Sequence, residues 1–201
     1  MNRLARVLLN AAALVLAGCG SVPLTSIPPL ARIDAKTTDL SMLRVAIQLP
    51  ETLRPRSGGV KLDVVTKLTG EAEARTSFAM MEISEARERA GLQAPPQGAS
   101  IHAYRLSPAD AARFEALRAS MIEQGKQGKR GSMGLGVGAR EFCRAKAAPQ
   151  TSLPVTIYLM TSETKSFVPV VRDFDLLSDP AMAGGLASIQ PCGSEPRAES
   201  Q

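Results

Sequence analysis

The sequence predicts a mainly β protein, an antiparallel β-sandwich of about seven strands with one inserted helix. Two observations support this fold class. Apolar residues recur at every second position in several short segments, which is typical of strands with one buried face. Turn residues separate these segments at short intervals, and only one segment has the apolar period of a helix. A small barrel built from the same strands is the alternative.

The first four strands are predicted between residues 41 and 106. In SMLRVAIQL and in VKLDVVTKL, four apolar side chains lie on one face of the predicted strand, so that face is expected to be buried. TSFAMMEIS is a third candidate, although its apolar phase changes within the Met-Met pair. The short segment IHAYRL is the fourth, and together they supply about half of the predicted fold.

One helix is predicted directly after the fourth strand. Ser107 can cap its first turn, Pro108 suits the first helical position, and Asp110 follows three residues after the cap. The apolar residues that then recur on one face are Ala111, Phe114, Leu117 and Met121. Gly125 is the expected end of this helix.

A glycine-rich segment follows the helix and predicts an unusual strand. Gly134, Gly136 and Gly138 would lie on one face, which is then bare of side chains. The opposite face would carry apolar residues, namely Met133, Leu135, Val137 and Ala139. A bare face allows another backbone, a helix or a ligand to approach closely.

Two further strands are predicted near the C-terminus. LPVTIYLMT has four apolar residues in phase, and SFVPVVRDFDLL is the next candidate. Because Pro169 cannot donate a ladder hydrogen bond, it places the second of these strands at a sheet edge.

The first residues of the chain combine positive charge with a short apolar run. Arg3 and Arg6 precede an apolar stretch from Val7 to Ala17 that is interrupted only by Asn10. This pattern is that of a secretory signal. The stretch is shorter than the roughly 17 apolar residues that a spanning helix needs, so a transmembrane anchor is the weaker interpretation.

The apolar run ends in the segment LAGC, residues 16–19. This segment resembles the lipobox of bacterial lipoproteins, whose signal is cut before a cysteine that carries lipid. The resemblance implies cleavage between Gly18 and Cys19 and triacylation of Cys19, which would hold the protein on a membrane because about two acyl chains suffice. Gly20 follows, and a residue other than Asp there favours the outer membrane by the rule for enteric lipoproteins. An ordinary signal peptide with a chance cysteine is the alternative.

These features divide the chain into four parts. Residues 1–18 are the expected signal peptide, 19–39 the lipidated cysteine with a proline-containing flexible tether, 40–192 the sandwich domain and 193–201 a disordered tail. The expected location is the bacterial cell envelope, at the outer membrane and facing the periplasm. The remaining chain is long enough for one domain.

Charge is modest overall and uneven along the chain. The net charge of +5 falls to +3 when Arg3 and Arg6 leave with the signal, and this value does not suggest nucleic-acid binding. Positive charge is concentrated in residues 107–147. The candidate contact surface consists of the basic and glycine residues of this region, Lys126, Lys129, Arg130, Gly134, Gly136 and Gly138. It would suit anionic lipid headgroups or an acidic partner, and a solvated helix and loop is the alternative.

Two cysteines remain after Cys19 is assigned to lipid. Cys143 and Cys192 form an even pair in an oxidising compartment, which predicts a disulfide that closes a loop of about 50 residues. Such a bond is worth roughly 4 kcal/mol in the chain-entropy account. A metal pair and two buried thiols are the alternatives.

The sequence offers few groups for catalysis or metal binding. His102 is the only histidine, and it lies in a predicted strand, so a hydrolase would have to be built on it. Asp173, Asp175 and Asp179 could ligate calcium, but their spacing lacks the glycine and final glutamate of an EF-hand loop. We therefore expect no metal, no cofactor and no enzymatic activity.

The leading hypothesis is a non-catalytic docking or structural lipoprotein that binds other envelope proteins. There is no tryptophan and there are only two tyrosines, which disfavours stacking platforms for sugars or nucleic acids. A domain that binds a small molecule or lipid, with the bare glycine face as its floor, is the alternative. A hydrolase built on His102 is the third hypothesis.

Overall fold

The computed structural model describes residues 23–139, 141–146, 151–179 and 189–193. Within these ranges the protein has nine strands and two α-helices, with single 3-10 turns between some of them. The strands are β1 (Arg44–Pro50), β2 (Leu53–Pro55), β3 (Val60–Leu68), β4 (Ala74–Ile83), β5 (Ala99–Leu106), β6 (Gly131–Ala139), β7 (Phe142–Arg144), β8 (Pro154–Met160) and β9 (Val168–Asp175). The helices are α1 (Ile27–Leu30) and α2 (Pro108–Lys126).

Seven of these strands form one antiparallel sheet in the order β6-β3-β4-β5-β1-β8-β9. The sheet is curled, and β2 and β7 pair as a separate two-stranded ribbon. The prediction of a mainly β protein with one main helix is confirmed. A sandwich is not confirmed, because the second sheet in the described part of the chain is a ribbon whose strands have three residues each.

Strand β4 joins the two halves of the large sheet. Its residues 74–79 pair with β3, whereas its residues 80–83 pair with β5. The positions that contact one neighbour are therefore offset along β4 from the positions that contact the other. An offset of this kind, together with the natural twist of strands, curls a sheet.

One face of the sheet carries the main hydrophobic core. Val45, Ile47 and Leu49 of β1 are almost completely buried, as are Leu62 and Val64 of β3. These are the residues that the period-two patterns predict on the inner face. Burying each such side chain contributes about 1.5–3 kcal/mol relative to exposure. The core face is thus the main source of stability.

A second, smaller cluster lies on the other face of the sheet. Ala46, Ile83 and Ala103 are buried there, and Leu92 and Phe167 pack against them from outside the strands. The sequence pattern alone does not predict this second cluster, because its residues come from three strands and from two connections that are distant in the chain. The outer face is consequently apolar in its middle rather than uniformly polar.

The main helix begins where the sequence predicts. The Ser107 hydroxyl accepts a hydrogen bond from the backbone N–H of Asp110 at 3.0 Å, with Pro108 in the first turn. The helix ends one residue beyond the predicted stop. Phe114 is fully buried and stacks on Phe78 of β4, with ring centroids 5.4 Å apart. This contact holds the helix against the core face.

The inward face of α2 also contains a charged residue, Arg118, which is 5% exposed. Its Nε donates to the carbonyl of Ala35 at 2.8 Å, and its Nη2 donates to the carbonyl of Thr38 at 2.7 Å. Its Nη1 donates to the Glu115 carboxylate at 2.8 Å, and the guanidinium lies 4.7 Å from the centre of the Phe114 ring. Because each nitrogen has a partner, burial of this charge is compatible with a stable fold.

The carbonyls that Arg118 binds belong to the segment predicted as a tether. Ala35 and Thr38 are buried, and the Thr38 hydroxyl donates to Glu163 at 2.8 Å. Residues 33–39 therefore pack as part of the domain, which differs from the expected flexible tether. The physical reason is the buried guanidinium, which binds backbone carbonyls that no sequence pattern marks.

Hydrogen bonds also set the charge state of the carboxyl group that holds this segment. Burial by itself would raise the pKa of Glu163, but hydrogen bonds from Thr161, Thr38 and Ser162 lower the pKa below its ordinary value. The ionised form is therefore favoured in the folded protein. This contribution to stability is present above the pKa of the unfolded chain and is lost as the pH falls through the lower, folded value.

Replacing Arg118 by alanine should lower the free energy of unfolding by about 3 kcal/mol, because hydrogen bonds to charged groups are worth about 1.5–3 kcal/mol. The carbonyls of Ala35 and Thr38 would lose their donors. The segment 33–39 should then be cut by trypsin after Lys36. Urea denaturation and limited proteolysis measure the two effects.

The matched control is Arg113→Ala on the same helix. Arg113 is 61% exposed, pairs with Asp110 at 2.6 Å, and lies over the Phe78 ring. Because exposed pairs are weak, this variant should lose less than about 1 kcal/mol and keep its resistance to trypsin. Equal losses in the two variants would contradict the role assigned to Arg118.

Candidate functional site

The three predicted basic contact residues lie at the end of α2 and in the turn after it. Lys126 lies 3.3 Å from the carboxylate of Glu123, and Lys129 lies 2.7 Å from that of Glu71. Both pairs are exposed, so they contribute little to stability. Arg130 is exposed and forms no ion pair with the residues that the structure describes. The turn therefore presents positive charge at the start of β6.

The glycine strand has the two faces that the alternation predicts. Gly134, Gly136 and Gly138 lie opposite alternate residues of β3 on one face. A Cβ atom added at Gly134 would meet no other atom within 4 Å. The other face packs against the core with partly buried side chains, those of Met133, Leu135, Val137 and Ala139. The bare face is consequently on the outside of the sheet.

Strand β6 is also an edge of the sheet, and β9 is the other edge. In β9, Pro169 lies at the edge as predicted, Arg172 and Asp173 add charge, and the pairing with β8 is irregular. Such features normally protect an edge from pairing with another chain. Strand β6 has neither proline nor charge over nine residues. At the start of β6, Lys36 Nζ donates to the carbonyl oxygen of Gly131 at 3.1 Å.

Cys143 and Cys192 are joined by a disulfide, consistent with the predicted pair. Cys143 lies in β7 and is buried, whereas Cys192 is exposed. Backbone hydrogen bonds support the same contact, since Arg144 donates to Gln190 at 2.8 Å and accepts from Cys192 at 2.9 Å. The disulfide thus holds residues 189–193 beside the ribbon.

A cleft lies between the β2–β7 ribbon and the core face of the sheet, and we call it the ribbon cleft. Its volume is about 590 Å³, which is within the range of small-molecule sites. Arg54, Arg56, Glu82 and Tyr104 are among its lining residues. The Arg54 guanidinium lies 3.5 Å from the Glu82 carboxylate. The lining of the cleft therefore includes side chains of both signs of charge.

A second cleft, which we call the outer cleft, lies on the other face of the sheet. Its volume is about 610 Å³, and its lining combines the aromatic rings of Tyr158 and Phe167 with polar groups of Gln48, Arg172 and Asp173. Asp173 has a positive φ of 50°, an uncommon backbone conformation for a residue other than glycine. The predicted glycine floor does not line either cleft.

Both tyrosines of the chain line these clefts and are hard to ionise. Burial raises the pKa of Tyr104, and the negative charge of Glu82 raises it further, whereas Arg54 lowers it by less. Burial also raises the pKa of Tyr158. Both side chains therefore remain neutral phenols that can donate or accept hydrogen bonds.

His102 lies within a chain of hydrogen-bonded side chains on the core face. Its Nδ1 is 2.7 Å from the Glu82 carboxylate, and its Nε2 is 3.3 Å from the Ser100 hydroxyl. Ser100 could have been found from the sequence, because residues two apart on a strand share a face. Glu82 could not, because it comes from β4 through a pairing across 20 residues of chain.

The aspartates considered for calcium have other partners. Asp175 accepts hydrogen bonds from the backbone N–H groups of Leu153 and Leu177, at 2.8 and 3.0 Å. Asp173 accepts from the Thr156 hydroxyl. Among the residues that the structure describes, no three carboxylate, histidine or cysteine side chains come together as metal ligands.

Comparison with protein-family models, curated proteins and solved structures gave no match to this chain. The predicted cleavage and lipidation residues, Gly18 and Cys19, lie outside the described residues. In the part of the chain that is described, no helix has the length and apolar character needed to cross a bilayer.

The stability of the folded protein should fall as the pH rises above about 10, where tyrosines in an unfolded chain lose their protons. Burial keeps Tyr104 and Tyr158 protonated in the folded state, so deprotonation favours unfolding. Below that pH the contribution of both groups is fully present. Thermal unfolding at about pH 9 and about pH 11, with tyrosinate absorbance, measures the effect.

The control for this experiment is Tyr104→Phe, which removes the more strongly shifted phenol. The loss of stability between the two pH values should be smaller in this variant than in the parent protein. A native protein whose tyrosinate absorbance rises at the same pH as that of the denatured chain would contradict the burial argument.

Proposed function

We propose that the protein is a lipoprotein of the bacterial cell envelope, anchored by Cys19 at the outer membrane and facing the periplasm. Its proposed role is to dock or support other envelope proteins. The lipobox-like segment LAGC supports the anchor. The proposed role requires no cofactor, no nucleic acid and no catalysis.

The observation that carries the docking role is the edge position of β6, which has neither proline nor charge and pairs on one side only within the described sheet. Edge strands offer a row of backbone N–H and C=O groups to which an extended segment of another protein can add as a further strand. In β6 this row is accompanied by a bare glycine face, where a partner backbone could approach closely without meeting side chains. The two properties occur together only in this strand of the described sheet.

The charge around β6 indicates what kind of segment would bind. Lys36, Lys129 and Arg130 lie at the start of the strand, and Arg130 has no acidic partner among the described residues. We infer that the partner contributes an extended segment with acidic residues at one end. Main-chain hydrogen bonds to β6 would supply affinity, and the basic turn would fix the direction of the added strand.

A second candidate function is the binding of a small molecule or lipid. The outer cleft favours it, because aromatic rings and polar side chains converge on a space of suitable volume. The strained backbone at Asp173 lies in the same cleft. This candidate uses the face opposite the main core, so the two functions would not compete for the same residues.

The anchor is tested by growing cells that make the full chain with labelled fatty acid. The parent protein should carry label and sediment with membranes, whereas Cys19→Ser should carry none and remain in the soluble fraction. The control, Cys143→Ser with Cys192→Ser, removes both other cysteines and should keep the label. Unchanged sedimentation of Cys19→Ser would contradict lipid anchoring.

Docking is tested by photo-crosslinking in intact cells from a reactive residue placed at Ser132, which is exposed on β6. A crosslink should form to an extended acidic segment of one envelope protein, as located by mass spectrometry. Adding Gly134→Glu should reduce this crosslink at least about tenfold, because a like charge repels the segment and fills the bare face.

The matched control is Gly134→Ala, which adds a single carbon where space is open and should reduce the crosslink far less. Crosslinks that map to a second copy of this chain would refute the proposed partner. The same conclusion follows if Gly134→Glu and Gly134→Ala behave alike.

A further inference from the structure

We propose that Ser100 is an activated nucleophile, with His102 as its general base and Glu82 as the residue that orients the imidazole. The hydrogen-bond distances are 3.3 Å from the Ser100 hydroxyl to Nε2 and 2.7 Å from Nδ1 to the Glu82 carboxylate. A nucleophile bonded to a base that a third group orients is the signature of covalent acyl-transfer sites. This activity goes beyond docking, which requires no reaction.

Each contact uses the nitrogen that such a mechanism needs. A neutral imidazole that donates its Nδ1–H to Glu82 leaves Nε2 as an acceptor for the Ser100 hydroxyl. The carboxylate on Nδ1 also stabilises the imidazolium that forms when the base takes a proton. The Ser100 hydroxyl proton can therefore pass to Nε2 of His102 while the Glu82 carboxylate holds Nδ1.

Regular strands hold the three groups in place. Ser100 and His102 lie on one face of β5, directly opposite Leu49 and Ile47 of β1. Glu82 reaches the same face from β4, where it pairs with Tyr104 of β5. Sites built on paired strands are positioned more firmly than sites on loops. The arrangement is thus preorganised by backbone hydrogen bonds.

The three side chains are partly buried, and the group adjoins a cavity through Glu82. The side chain of His102 is 15% exposed, that of Glu82 is 40% exposed, and Ser100 is half-buried. Glu82 lines the ribbon cleft together with Arg54 and Arg56. Arg54 and Arg56 add positive charge beside Glu82, so an ester whose acyl or alcohol part carries a negative charge is the expected substrate class.

The reaction balances with water as the only co-reactant. The Ser100 oxygen bonds to the ester carbonyl carbon while Nε2 of His102 takes the hydroxyl proton. The bond from that carbon to the alcohol oxygen then breaks, and the departing alcohol receives the proton. Water attacks the acyl-serine in the same way, which releases the acid and restores the hydroxyl.

The test uses a fluorophosphonate probe, which loses fluoride when an activated serine attacks its phosphorus. The folded full chain should be labelled at Ser100, as mapped by mass spectrometry, and denatured protein should not. Ser100→Ala should abolish labelling, and His102→Ala should slow it at least about 100-fold, the usual contribution of a general base.

The matched control is Ser77→Ala. The Ser77 hydroxyl donates to the Asp63 carboxylate on β3 and has no histidine beside it, so labelling should be unchanged. Circular dichroism shows whether each variant is folded. If His102→Ala does not fold, the labelling of folded Ser100→Ala tests the proposal by itself. Absence of labelling in the folded parent, or labelling that persists in Ser100→Ala, would overturn the proposal.

Glu82 is tested as a positioning residue. Glu82→Gln should slow labelling, and Glu82→Asp should restore part of the rate, because a shorter carboxylate can still accept the Nδ1 proton. If Glu82 served only to stabilise the fold, Glu82→Gln and Glu82→Asp variants of equal stability would be labelled at the same rate. Equal labelling rates in folded Glu82→Gln and the parent would refute the role of Glu82, whereas the docking proposal would stand unaffected.

Discussion

The shared pairing of β4 is the constraint on which the rest of the structure depends. One part of this strand pairs with β3 and the next part with β5, so the sheet must bend where the two pairings meet. Phe78 lies near the end of the first part, fully buried and stacked on Phe114. A ring pair of this kind contributes about 0.5–1.5 kcal/mol beyond the area it buries. The contact between Phe78 and Phe114 thereby joins the bent strand β4 to the helix within the core.

Placement of the helix determines how the N-terminal segment is held. With Phe114 directed into the core, Arg118 lies one turn later on the same face and would be a buried charge without partners. The backbone carbonyls of Ala35 and Thr38 supply those partners. The domain therefore begins earlier than the strand pattern indicates, and the proposed tether after Cys19 would contain fewer residues than the sequence predicts.

The same bend produces both proposed functional regions. It leaves β6 at one end of the described sheet, beside the basic turn that follows the helix. It also carries the last residues of β4 across to β5, which brings Glu82 to His102. The ribbon, held near residues 189–193 by the disulfide, closes the cleft that adjoins this cluster. Docking would thus use the edge of the sheet at β6, whereas acyl transfer would use the core face at β4 and β5.

Local patterns in the sequence were sufficient for the seven strands of the large sheet, the helix start at Ser107, the edge position of Pro169 and the two faces of the glycine strand. Each of these depends on the period of side chains or on the chemistry of neighbouring residues, which are short-range properties. The same patterns did not indicate the two short strands of the ribbon, β2 and β7. The curl, the buried role of Arg118 and the meeting of Glu82 with His102 were decided by tertiary structure alone. They depend on which strands pair and in which register, and that choice is made by burial of the whole core, which no short segment encodes.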